Sequence, residues 1–175
     1  MDLTRKQKTT KYICCCLLIL LADLLQNVSG LLPEIGGARC FLLIPAVVIL
    51  SFGEDEIKAA LLGLFAGLLW DMSSAVHMGF NCIFFSIVCF TAAALVSHLI
   101  RDTFITNMLV SVTAIILYCL TYWLCFIVIK GVEGGEGTIL SFYLPCAVYT
   151  AVITPIVYII YKPIKKRLKN QKAEK

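Results

Sequence analysis

Long apolar runs broken by short polar turns leave this chain few folds to adopt. Six runs can be drawn, at about 12–32, 39–53, 57–73, 79–100, 104–130 and 138–161. A helix crossing a hydrocarbon core of ~30 Å needs about 20 residues at ~1.5 Å each. The second and third runs are shorter than that, so tilt, snorkelling or local bilayer thinning is expected there. A soluble domain carries charge on about a quarter of its residues, whereas this chain has 15% charged and 60% hydrophobic residues. The expectation is an all-α integral membrane protein with six transmembrane helices in one domain, 1–175. The first run is read as a retained helix despite a faint cleavage-like Val28-Ser29-Gly30, because it is longer than a signal core and contains Asp23.

Charge sets the orientation. Arg5, Lys6, Lys8 and Lys11 precede the first run, and seven basic residues lie in the tail, 162–175. With six spans and the N-terminus inside, Lys58 and Arg101 also face the cytoplasm. Only Arg39 and Lys130, of 15 Lys and Arg, then fall outside. This is a positive-inside bias that places both termini in the cytoplasm. Attraction of the tail to anionic lipid follows as a side effect. Nothing forms an aromatic-lined or groove-reading surface for nucleic acid. Glu54-Asp55-Glu56 cannot lie in hydrocarbon, so the second and third runs should form a hairpin. The loop 130–137, rich in glycine and glutamate, should be an outer loop, and Trp70, Trp123, Tyr143, Tyr149 and Tyr158 are candidate interfacial anchors.

The nine cysteines include no C-x-x-C pair and no His spacing that completes a zinc site. They read as small membrane hydrophobes. His98, next to Arg101 at a helix end, complements the helix dipole. No nucleophile elbow, Walker loop or Rossmann fingerprint occurs, and no cofactor or metal is expected. Pro45, Pro145 and Pro155 fall within runs and are candidate kinks.

Two polar features remain. Ala59, Gly63, Gly67 and Asp71 recur every four residues, which puts them on one helical stripe. Gly-x-x-x-Gly lets another backbone approach closely. Asp71 ends that stripe, where the helix dipole disfavours an acid. Either it pins the turn to the next helix, through Ser73, Ser74, His77, Asn81 or backbone donors, or it is a wet interfacial charge. Asp23 lies about eleven residues into the first run, about 16 Å deep at ~1.5 Å per residue. Asn27 is one turn further on and Gln26 is adjacent. This buried polar cluster is either a pocket for a small ligand or proton, or an interhelical hydrogen-bond cluster.

Gly63-Leu64-Phe65-Ala66-Gly67-Leu68-Leu69-Trp70-Asp71, followed by Met78-Gly79-Phe80-Asn81, resembles the rod shape-determining protein MreD family. The resemblance covers about residues 40–100, and only Gly63, Gly67, Asp71 and Gly79 carry over residue by residue. It implies a non-enzymatic membrane scaffold of the bacterial cell-elongation machinery in the plasma membrane. Its implied partner is MreC, with MreB, RodA and a penicillin-binding transpeptidase in the same machinery. The family is also similar in fold to the substrate-binding subunits of energy-coupling-factor transporters. A transporter subunit that binds a vitamin-like molecule is therefore the alternative, with Asp23, Gln26 and Asn27 as its expected pocket.

Overall fold

A computed structural model describes residues 5–28, 38–74, 78–129 and 137–170. These residues form six helices: α1 (Arg5–Asn27), α2 (Leu43–Ser51), α3 (Glu56–Ser74), α4 (Phe80–His98), α5 (Phe104–Trp123) and α6 (Leu144–Asn170). A π-helical turn, Leu124–Val128, extends α5, and another, Ile139–Tyr143, leads into α6. Five helices are long and apolar enough to cross a membrane. Their outward faces carry large apolar side chains such as Leu17, Ile57, Ile105 and Val152. Water would penalise such a surface, whereas lipid accepts it. The chain is thus an all-α, multi-pass membrane protein.

The second run is the exception. Its helix is nine residues long, about 14 Å at ~1.5 Å per residue, and cannot cross a bilayer by itself. Every residue of α2 is buried, and it touches all five other helices. An all-round apolar sequence, Leu-Ile-Pro-Ala-Val-Val-Ile-Leu, suits a helix enclosed by others. Pro45 sits in its first turn, where the missing N–H leaves no intrahelical bond unmade, so it does not kink the helix. The helix ends at Ser51, where a tight turn takes over: Phe52 is extended, Gly53 supplies the positive φ of 70°, and the Glu54 N–H donates to the Ser51 carbonyl at 3.1 Å.

Contacts with α1 show how far this segment travels. The Leu43 N–H donates to Gln26 Oε1 at 3.0 Å. At the other end, Tyr12 donates to Glu54 Oε2 at 3.4 Å and Lys11 pairs with Glu54. Tyr12 and Gln26 are about 21 Å apart along α1, so α2 and its flanks run most of that helix's length. Lys165 from α6 donates to the carbonyls of Ile49 and Phe52, placing positive charge where the α2 dipole is negative. The end of the bundle holding Lys11, Lys58, Arg101 and Lys165 is called here the basic end.

Several expectations change. The first helix begins at Arg5 and closes at Asn27 rather than near residue 32. Trp70, Tyr143 and Tyr158 are buried in the bundle rather than free as interfacial anchors, because helix ends converge around them. The loop expected at 130–137 lies, apart from Gly137, outside the described residues, as do His77 and the tail beyond 170. All nine cysteines are free thiols.

Helix packing is uneven around α4. Its junction with α3 is the most extensive among the described helices. Towards α5 it leaves an apolar groove of about 330 Å³, lined by residues such as Val88, Thr91, Leu95, Leu109, Thr113 and Leu117.

Candidate functional site

The glycine stripe is spent inside the chain. Ala59, Gly63, Gly67 and Asp71 are all buried, and they face α4 rather than an outside partner. A Cβ at Gly63 would stand 2.7 Å from the Phe85 carbonyl carbon and 3.0 Å from Cys89 Cβ. At Gly67 it would stand 2.5 Å from both the Asn81 carbonyl carbon and Cys82 Cα. These obstacles are mostly backbone, so the two helices meet main chain to main chain, as small residues permit.

Asp71 completes the junction. Its Oδ2 accepts from the Gly79 N–H at 2.9 Å and the Cys82 N–H at 3.3 Å. Its Oδ1 accepts from Asn81 Nδ2 at 2.8 Å and the Asn81 N–H at 3.4 Å. The acid that ends α3 is therefore the N-terminal cap of α4, whose own cap residue, Gly79, has no side chain to offer. The dipole conflict at the end of α3 is resolved because the positive end of α4 is closer to the charge. Gly79 adopts φ 95° with open space around its Cβ position, so it is there for conformation rather than room.

Asp23 belongs to a second, separate arrangement. It is buried and accepts from Asn27 Nδ2 at 2.9 Å and Ser73 Oγ at 3.1 Å. Because α1 closes at Asn27, Asp23 lies one turn from its end and beside the end of α3, not at mid-depth. Gln26 is not part of that pair; it holds the start of α2. The expected three-residue pocket is thus an interhelical hydrogen-bond link plus a helix-start contact.

The cavity at this end of the bundle, opposite the basic end, is built from other residues. It measures about 210 Å³ and is walled by Phe41, Trp70, Tyr118, Tyr122, Phe142 and Tyr143. The exposed Arg39 and Ser74 and the buried Asn81 complete it. The rings interlock: Trp70 lies 5.1 Å from Tyr118 and 5.7 Å from Phe41, and Tyr122 lies 6.1 Å from Tyr143, centroid to centroid. Such spacings suit offset and edge contacts. Asn81 is 3% exposed, and its Oδ1 has no hydrogen-bond partner. Sequence reasoning missed this enclosure, because its walls come from five chain segments. The available signal was the concentration of Trp70, Tyr118, Tyr122 and Tyr143 near helix ends.

No family model matches the chain, and no curated protein or solved structure matches it.

Proposed function

We propose that the chain is a non-enzymatic scaffold subunit of the bacterial cell-elongation machinery, binding MreC in the plasma membrane. In this role it helps couple MreB to peptidoglycan synthesis by RodA and a penicillin-binding transpeptidase, and so to rod shape. The observation that carries the reading is the α3–α4 junction. Gly63, Gly67, Asp71 and Gly79, on which the resemblance to the MreD family rests, all act in that one junction, as two close approaches, a cap and a turn. A scaffold needs a unit that keeps its shape while partners pull on it, and backbone-to-backbone packing supplies one. Since the glycine stripe is covered, a partner's span meets other faces, and the stripe acts by holding those faces in place.

Six passes with both termini cytoplasmic fit this role. The α2 segment, running most of the length of α1 between Gln26 and Tyr12, supports the count. The gathering of Lys11, Lys58, Arg101 and Lys165 at one end supports the orientation. The tail from 162 would then lie against anionic lipid.

The test is affinity purification of the tagged protein from native membranes in mild detergent, with mass spectrometry of the co-purifying chains. MreC recovered with RodA or a transpeptidase is the expected result. A pair of ATPases with a coupling membrane subunit would overturn the scaffold reading in favour of a transporter.

A further inference from the structure

The apolar groove between α4 and α5, of about 330 Å³, opens sideways to lipid. Its floor is Ala92 and Ala114, both buried, and its rim is Leu109 and Leu117, both exposed. Leu109, Thr113 and Leu117 recur every four residues along α5, so the groove runs about 12 Å at ~1.5 Å per residue. That is most of one leaflet of a ~30 Å hydrocarbon core. Ile100 also lines it, so one end reaches the α4–α5 turn at the basic end. Arg101 follows directly in the chain. It is exposed and makes no ion pair among the described residues. Its neighbour Asp102 is tied to α5 instead, accepting from Asn107 Nδ2 at 2.7 Å. The Thr103 N–H donates to the Arg101 carbonyl at 2.8 Å and holds the turn tight.

We propose that this groove holds one anionic phospholipid, with an acyl chain in the slot and the phosphate on the Arg101 guanidinium. The occupant has to match two features at once: an apolar channel about one leaflet long, and a cation where the channel ends. A phospholipid carries both matching parts in one molecule. A partner's apolar span would cover the channel and leave Arg101 without a counter-charge. Guanidinium and phosphate pair through parallel N–H donors, and basic sites between transmembrane helices take anionic headgroups in this way. The wall suits a chain as well. Thr91 turns its hydroxyl onto its own helix, 2.9 Å from the Ile87 carbonyl, which keeps that polar hydrogen out of the slot. This is a fixed place in the fold, distinct from any attraction of the tail beyond 162. It does not depend on the scaffold reading, since it uses only the α4–α5 geometry.

The test is native mass spectrometry of the full chain in detergent, titrated with equal amounts of dioleoyl phosphatidylglycerol and dioleoyl phosphatidylcholine. The anionic lipid should be retained about fivefold better, the worth of one basic side chain at a membrane surface. Arg101→Gln, at an exposed turn position, should erase that preference. Thr113→Trp, which fills the slot from an exposed position, should lower retention of both lipids. Neutralising Lys166, Lys169 and Lys172 of the tail together should leave the preference unchanged. In native membranes, a photoactivatable benzoylphenylalanine placed at Leu109 should gain the mass of a phospholipid. The proposal is overturned if the parent chain retains both lipids equally, or if Arg101→Gln keeps the preference. It is equally overturned if Thr113→Trp retains lipid like the parent, if the tail variant loses the preference, or if Leu109 cross-links to a protein chain.

Discussion

The two sides of α4 solve the packing problem in opposite ways. Towards α3, the glycines at 63 and 67 bring main chain against main chain. Towards α5, Thr91 and Leu95 stand against Leu109, Thr113 and Leu117, and branched side chains hold the helices apart around a groove of about 330 Å³. Both neighbours of α4 are apolar helices, so apolar character does not decide the distance. In lipid, greasy surface has no water to escape, and close approach depends on side-chain size and on hydrogen bonds. Only the α3 side has both: small residues along the stripe and a carboxylate at its end.

This contrast can be broken from the α3 side first. Gly67→Leu should be the most damaging change, costing at least about 3 kcal/mol, because the obstacle is backbone that cannot swing aside. Steric-trap unfolding in bicelles would read the loss, and under the proposed scaffold role MreC recovery should fall with it. Asp71→Ala comes next, at about 2–3 kcal/mol, since it strands the Gly79 and Cys82 N–H groups and the Asn81 amide. The same unfolding assay measures it, and amide exchange should quicken in the first turn of α4. Gly79→Ala should cost about 1 kcal/mol, from a left-handed backbone alone, since its Cβ meets nothing. A much larger loss would show that crowding matters at the turn after all. Thr113→Leu, in the α5 groove, should stay within about 0.5 kcal/mol of the parent chain. A loss approaching that of Gly67→Leu would erase the distinction between the two faces.

Much of the architecture can be read from residue order. Each of the six apolar runs contains a helix, and the four-residue spacing of Ala59, Gly63, Gly67 and Asp71 marks a face that packs closely. Which partner that face meets is not in the spacing; a glycine row suits a neighbouring helix of the same chain as well as another protein's span. Asp23 misled for a simpler reason. Counted from the start of its apolar run it lies at mid-depth, but the helix closes four residues beyond it. The helical part of the second run is shorter than its composition implies, because Pro45 and Gly53 bracket it closely. The cavity was least legible. Phe41, Trp70, Asn81, Tyr118 and Tyr143 share no local period, and only tertiary packing brings them together.

The enclosure of α2 bears on how the protein is made. A ribosome delivers these nine residues before α3, α4, α5 and α6 exist, yet in the finished protein α2 touches all four of them as well as α1. Its final surroundings, including the Lys165 contact with Ile49 and Phe52, can form only after the last helix has entered the membrane. The segment synthesised second does not complete its contacts until the sixth helix is in place, and truncation near the C-terminus should be felt at the middle of the bundle.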